Sequence, residues 1–354
     1  MRALNYKVEY VKLLTPEIVG YLTQIHEFKG RQDLFFQARK DALSNLLEIA
    51  KIQSVEASNR IEGVVTTEDR LKKLVMNKTA PKGRSEREIA GYRDALTTIH
   101  ENFHYIPVRT GAVLQLHRDL YKFSAQSFGG QFKNVENVIA DVAPDETKRV
   151  RSQHVSALET PDAMEALCGA LQEALNDAEI DPLVAIPMFI LDFLCVHPFN
   201  DGNGRTSRLL TLLLLYRAGY VVGKYVSLEK LIADAKETYY EALRESSVGW
   251  HEGENDYLPF VRFSLGVLIA AYREFASRVE VLILSGASKP NRVRRVIQET
   301  VGKITKSQIM KQCPDVSQKT IERTLKELLD SGEIVKTSGG RYASYTWNPE
   351  KEKK

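Results

Sequence analysis

His197-Pro198-Phe199-Asn200-Asp201-Gly202-Asn203-Gly204-Arg205-Thr206-Ser207-Arg208 runs straight into Leu209-Leu210-Thr211-Leu212-Leu213-Leu214-Leu215. This stretch reads as a loop that turns into a buried helix. Glycines at 202 and 204 let the backbone take positive φ and come close to a ligand. The free N–H groups and positive dipole end of the new helix favour an anion, most naturally a phosphate. Arg205 and Arg208 lie three apart, so both project from one helical face as planar, forked donors. Asp201 supplies the hard oxygen that Mg²⁺ prefers while the metal keeps most of its waters. His197 has a side chain whose ordinary pKa suits general-base work near neutrality. Singly, each residue has a plainer reading: a loop histidine without a role, turn glycines, two arginines on a solvated face. Their order in one window outweighs those readings.

The string resembles the signature of Fic-domain proteins, H-x-F-x-[D/E]-G-N-G-R-x-x-R, at every fixed position. The resemblance implies transfer of AMP from ATP to a protein hydroxyl, with Mg²⁺. It implies that His197 deprotonates a target Ser, Thr or Tyr, and that Asp201 holds Mg²⁺ between the α- and β-phosphates. Gly202, Asn203 and Gly204 would form the anion nest, Arg205 would bind the β-phosphate and Arg208 the γ-phosphate. Thr206 and Ser207, between the arginines, join the expected ATP-binding set. Phe199 would anchor the loop in the core.

A second string, Ser58-Asn59-Arg60-Ile61-Glu62-Gly63, ends a stretch with Leu43, Leu46, Leu47 and Ala50 at helical spacing. Gly63 is a natural residue to follow a helix end. A surface carboxylate before a glycine is the default explanation. In a Fic protein the string resembles the autoinhibitory motif carried on a helix N-terminal to the catalytic core. That likeness implies that Glu62, with Ser58 behind it, pairs with Arg208 in place of the γ-phosphate. ATP would then bind with its α-phosphate misaligned, which suffices to stop a phosphoryl transfer that depends on positioning.

A chain of 354 residues, 43% hydrophobic and 27% charged, fits a globular protein of two or three domains. The expected fold class is all-α: a Fic-type helical core with a small β-hairpin flap, plus a C-terminal winged helix-turn-helix domain. The expected divisions are a helical region over 1–110 whose inhibitory helix ends near 63, a Fic core over 111–284, a linker over 285–291 and a winged helix over 292–348. No signal-peptide plan opens the sequence, and Leu209 to Tyr216 is far short of a membrane span. Cysteines at 168, 195 and 313 show no C-x-x-C spacing, so reduced thiols and a cytoplasmic location are expected. Cys195 lies two residues before His197 but among Leu191, Phe193, Leu194 and Val196, which makes it a core residue.

Helical stripes recur at Ile89, Tyr92, Ala95, Leu96 and Ile99 within Arg84 to Phe103, and from Thr110 through Val113, Leu116, Leu120 and Tyr121. Between that helix and the next, Ser127-Phe128-Gly129-Gly130-Gln131-Phe132-Lys133, then Val135, Val138, Ile139 and Pro144, read as a short hairpin. In Fic proteins such a hairpin, the flap, lies over the active site and holds the target by strand addition. The paired prolines often seen there are missing, and Lys148-Arg149-Val150-Arg151 stands instead. Further on, the family places Tyr239-Tyr240-Glu241-Ala242-Leu243 beside the adenine, with Tyr240 and Leu243 as its apolar slot and a polar contact near Ser246 or Ser247. Plain helix packing explains the same residues.

Residues 288–354 carry a net charge of +7 against −4 for the rest. Two short helices centred on Val296 and Ile309 lead to Pro314-Asp315 and a helix capped by Ser317. In that helix Ile321, Leu325, Leu328 and Leu329 face inward, and Gln318, Lys319, Thr320, Arg323 and Thr324 face outward. A hairpin over Glu333 to Thr337, the Gly339-Gly340 turn and Tyr342 to Trp347 completes the unit. The order resembles the winged helix of bacterial DNA-binding regulators, and such modules also serve in dimerisation or protein docking.

Three functions follow. One is an autoinhibited protein adenylyltransferase acting on an unknown target protein or on itself. Another is a DNA-binding regulator, contacting duplex DNA through 292–348, whose Fic body senses nucleotide. A third is a Fic transferase of another phosphate-bearing group, such as UMP or phosphocholine. A homodimer is left open.

Overall fold

A computed structural model describes residues 4–38, 40–124, 128–136, 138–142, 148–286, 289–300, 302–313, 316–338 and 343–348. The chain divides into two units, Met1–Phe275 and Ala276–Lys354. Helices α1 (Tyr6–Leu13), α2 (Pro16–Ala38), α3 (Lys40–Ile61), α4 (Glu68–Val75), α5 (Arg84–Asn102) and α6 (Thr110–Leu120) come first. Strands β1 (Val138–Val142) and β2 (Lys148–Gln153) follow. Then come α7 (Thr160–Asn176), α8 (Pro182–Val196), α9 (Asn203–Arg217), α10 (Leu228–Asp234), α11 (Lys236–Ser247) and α12 (Leu258–Gly286).

At the centre stands α8, packed against α7, α9, α11 and α1. Its sequence PLVAIPMFILDFLCV has no polar face, which a helix tolerates only when covered all round. Asp181 caps its start by accepting from the Leu183 N–H, and Pro182 fits the first turn because no N–H is needed there. Its one carboxylate, Asp192, is fully buried and accepts from the Tyr6 hydroxyl (2.7 Å), the Trp250 indole (2.6 Å) and the Tyr257 hydroxyl (2.9 Å). These three neutral donors compensate its lost hydration.

The expected inner stripes are in place: Ile89, Tyr92, Ala95, Leu96 and Ile99 of α5, and Val113, Leu116 and Leu120 of α6, are all buried. On α3 the stripe Leu43, Leu46, Ala50, Val55 and Ile61 is buried too, against α5 and α10. Cys168, Cys195 and Cys313 are buried. Among the described residues no helix is long and apolar enough to cross a membrane.

The hairpin lies later than its glycines suggested. β1 and β2 pair antiparallel, Val142 with Lys148 and Val138 with Gln153, so Lys148-Arg149-Val150-Arg151 forms the second strand. Gly129 and Gly130 instead allow close approach to α6. Gly130 has φ +76°, and a Cβ there would meet the Arg118 side chain at 2.9 Å and the Leu114 carbonyl at 3.0 Å. Ser127 and Pro144 fall outside the described residues.

The second unit contains α13 (Lys289–Glu299), β3 (Ile304–Thr305), α14 (Lys306–Gln312), α15 (Gln318–Asp330), β4 (Ile334–Ser338) and β5 (Ser344–Trp347). Its sheet has the order β3-β5-β4. Val293, Ile297, Ile309, Ile321, Leu325 and Leu328 form its own core. Ser317 caps α15 by accepting from the Thr320 N–H. β3 was not foreseen, since a two-residue strand has no periodicity to read. Thr324, expected outside, is 2% exposed and donates to the Thr320 carbonyl, which lets a small hydroxyl face the core. The expected linker is shorter too: 285–286 belong to α12 and 289–291 to α13. Residues 287–288, Pro314-Asp315 and the Gly339-Gly340 turn lie outside the described residues.

Candidate functional site

The loop between α8 and α9 is held by its own residues and by three neighbours. Helix α8 ends with His197 in the left-handed region, φ 52°, its N–H donating to the Phe193 carbonyl at 3.0 Å. Only a few per cent of non-glycine residues adopt that backbone. Phe199 is fully buried and stacks face to face on His117 at 3.7 Å. Asn203 closes the loop: its Oδ1 accepts from the Phe199 N–H (2.9 Å) and its Nδ2 donates to the Phe199 carbonyl (2.8 Å). Its amide is therefore committed to the loop. His117 accepts from the Gly130 N–H through Nδ1, so its Nε2 donates to the Asp201 carbonyl at 3.0 Å. Lys133 brackets His197, its N–H donating to Pro198 and its ammonium to Val196.

Gly202, φ +84°, is the residue before α9, and a Cβ on it would press on the Tyr121 hydroxyl at 2.9 Å. The Asp201 carboxylate accepts from the Gly202 N–H at 2.7 Å and is 44% exposed. The guanidinium of Arg84 lies 3.8 Å from it and that of Arg205 3.7 Å away. Arg205 is 1% exposed, donating to Glu88 at 2.6 Å and to the Tyr121 hydroxyl at 2.9 Å. Glu88 is bridged on its other oxygen by Arg84 at 2.9 Å.

Arg208 spends its donors on α3. Its Nε bonds the Ser58 hydroxyl (2.8 Å), and its Nη2 bonds the Ser58 carbonyl (2.9 Å) and the Glu62 carboxylate (2.7 Å). Glu62 reaches it because α3 ends in a Schellman turn. The Val64 N–H bonds the Asn59 carbonyl, the Gly63 N–H bonds Arg60, and Gly63 has φ +74°. A Cβ on Gly204 would collide with the Glu62 carboxylate, so this glycine admits an anion to the first turn of α9 rather than a special φ. Ser58 and Glu62 thus meet Arg208 and Gly204 in one place.

The other expected residues divide. Tyr240 is 42% exposed, and its phenol is shifted upward first by burial and then by the Glu62 charge, which puts it beside this cluster. Leu243 is half-buried one turn on. Thr206 and Ser207 are buried, and Ser207 donates to the Gly204 carbonyl at 2.7 Å. Their hydroxyls are thus turned inward. Ser246 accepts from the Phe260 N–H and Ser247 donates to Leu243, so both hydroxyls serve local structure. Arg84, Glu88, His117, Tyr121, Lys133 and His154 were missed. Each is a lone polar or aromatic residue whose partner lies far away in sequence.

His197 is held neutral. Burial pushes its pKa down to about 3, His154 and Lys133 add to the shift, and the Leu194 carbonyl opposes it. Burial likewise lowers His100 to about 3, His117 to about 4 and also His154. An unfolded chain takes up these protons below its ordinary value of about 6.5, whereas in the folded chain His197 and His100 refuse them until about 3 and His117 until about 4. Stability from these groups is therefore complete above about pH 6.5 and is lost as pH falls toward 4. Urea titrations should show a loss on the order of several kcal/mol across that window. A flat profile from pH 7 to 4.5 would mean that the histidines are not withheld from water.

Residues 107–215, from just before α6 through most of α9, match the family model described as the Fic/DOC family. A protein adenylyltransferase Fic from Nematostella vectensis is 25% identical over 231 residues, which is 62% of this chain and 48% of that protein. The chain spans about half the length of the curated relatives it matches. Among solved structures, a Fic family protein from Desulfovibrio desulfuricans covers 95% of this chain and 97% of its own, with 23% identity and a TM-score of 0.60. A Fic domain containing signaling protein from Bacteroides thetaiotaomicron covers 73% of this chain and 98% of its own, with 20% identity and a TM-score of 0.62. The loop with its left-handed histidine, the buried α8 before it and all but the end of α9 after it lie within the residues that match the Fic/DOC family model.

Proposed function

We propose that this chain transfers AMP from ATP to a hydroxyl side chain of a protein and that α3 restrains it. The observation that carries the reading is a neutral imidazole at the end of α8, next to a glycine-lined helix start flanked by arginines. In the reaction the target hydroxyl oxygen forms a bond to the α-phosphorus as the bond to pyrophosphate breaks. The hydroxyl proton passes to His197, which burial keeps unprotonated and so able to accept it. The first turn of α9, open at Gly202 and Gly204, suits the phosphates.

Asp201 is the residue that would hold Mg²⁺. Among the described residues no group of three or more His, Cys, Asp or Glu is arranged for a metal. One half-exposed carboxylate suits an ion that takes its remaining ligands from water and phosphate. When bound, that ion neutralises phosphate charge. Tyr240 and Leu243 are proposed to flank the adenine. Intact-mass measurement after separate incubations with ATP, UTP or CDP-choline, each with Mg²⁺, tests the reading. Added AMP on the chain or on a captured protein supports AMP transfer. Addition of UMP or another phosphate-bearing group would replace that donor with its own.

The regulatory reading rests on the Glu62–Arg208 pair, 2.7 Å apart. Glu62 stands where a terminal phosphate would meet Arg208, so the helix and the nucleotide compete for one guanidinium.

For the second unit we infer a winged helix that binds duplex DNA. Exposed Gln318, Lys319, Arg323 and Lys326 on α15 support this, together with the +7 charge of the segment. The full chain should shift a short duplex at low salt, with affinity falling steeply as salt rises. Replacing Lys319 and Arg323 by Ala should flatten the log–log salt slope by about 1–2. No shift at low salt would favour a protein-docking role instead.

A further inference from the structure

We propose that His154 is a positioning residue for His197, its imidazole stacked on the base to hold it in the orientation that takes the hydroxyl proton. The inference rests on the assignment of His197 as that base. The two ring centroids lie 4.3 Å apart, with the planes within 15° of parallel. His154 is the first residue after β2, so the flap hairpin ends on the face of the proposed base.

His154 is itself fixed. Its Nδ1 lies 3.0 Å from the Cys195 carbonyl, and because a carbonyl can only accept, Nδ1 carries the proton. That carbonyl belongs to the last turn of α8, where helix carbonyls lack intrahelical donors. The bond therefore fastens the end of the flap to the helix that delivers His197. Nε2 of His154 is buried with no hydrogen-bond partner among the described residues, and the residue is 9% exposed. A histidine serving only as a helix-end cap has no need of a ring laid flat on its neighbour, nor of an orphaned nitrogen. His197, in turn, has a left-handed backbone that places its Cβ but leaves the ring free to swing about χ2. The Leu194 carbonyl and the face of His154 border that ring, and the charges of Lys133 and Asp201 also act on it. Other charged or titratable groups near His154 are Lys133, from the segment before the flap, and His251, from the stretch after α11.

The test compares His154→Ala, His154→Phe and His154→Asn in the Glu62→Gly background. Phe keeps the flat face and gives up the bond to Cys195, whereas Asn keeps a donor and gives up the face. Ala and Asn should lower kcat roughly 10–100-fold with little change in KM for ATP, the cost of a misaimed base. Phe should retain most of kcat. Phe also removes a neighbour that holds the pKa of His197 down, so the acid limb of its kcat–pH profile should move to higher pH. Thermal melting of each variant separates a misaimed ring from a failed fold, and the Phe–Asn comparison is made where both are folded. Full kcat in Asn with loss in Phe would make His154 a cap for α8 and overturn the proposal, as would full kcat in all three. His197→Ala in the same background distinguishes the two levels. If it stays active, the base assignment itself fails. If it is inactive while every His154 variant runs at full rate, only the present inference fails.

Discussion

Glu62→Gly should transfer AMP on the order of 10²–10³-fold faster than the wild-type chain. Breaking a buried ion pair by removing one partner is worth roughly 3–5 kcal/mol. Arg208 is 4% exposed and Glu62 32%, so the lower part of that range applies. The freed guanidinium keeps its two bonds to Ser58 and gains a phosphate in place of the carboxylate. About 3–4 kcal/mol redirected to productive ATP binding corresponds to that acceleration. Deleting the carboxylate also clears the space against Gly204, where a Cβ would have collided with it. Adding Arg208→Ala should abolish the gain, because both substitutions act on one phosphate position. The measurement is transfer from labelled ATP by wild type, single and double variants. Equal rates for wild type and Glu62→Gly would reduce Glu62 to an ordinary helix ending.

His197→Ala should cost 10²–10⁴-fold in transfer while leaving ATP binding nearly intact, the usual contribution of a positioned general base. The substitution leaves the start of α9, Asp201 and both arginines in place. Phe199, Asn203, His117 and Lys133 hold the loop without help from the imidazole. Rates are best compared in the Glu62→Gly background, with nucleotide affinity read separately by calorimetry. Unimpaired self-modification by the His197→Ala chain would show that another group takes the proton.

Much of this site was legible because its key residues are neighbours in sequence. Glycines at 202 and 204 and arginines three apart are local facts, and local geometry follows from them; the bonds of Asn203 back to Phe199, in place of an expected role in the anion nest, are seen only in the fold. Gly63 could likewise be read as a left-handed helix ending. What escaped was supplied across the fold. Glu88 and Arg205 are 117 positions apart, and His154 and His197 are 43 apart. His117 sits on a stripe of otherwise apolar α6 residues, so nothing nearby signals its two backbone partners. The hairpin was placed too early because Gly129-Gly130 has the composition of a turn but serves close packing against α6. Thr324 was misread because a Thr in a helix can satisfy its own hydroxyl and be buried.

The carboxylate of Asp192 acts as an index pin for the helices around α8. It lies five residues before His197, and its partners come from α1, from the turn after α11 and from the approach to α12. A helix greased on every side could slide or rotate by a residue at little cost, since one leucine or isoleucine replaces another. A single acceptor that must meet three fixed donors permits only one register. The angular setting of His197 is thereby tied to Tyr6, Trp250 and Tyr257, and a change at any of them should reach the loop after α8 as a rotation rather than as a loss of stability alone.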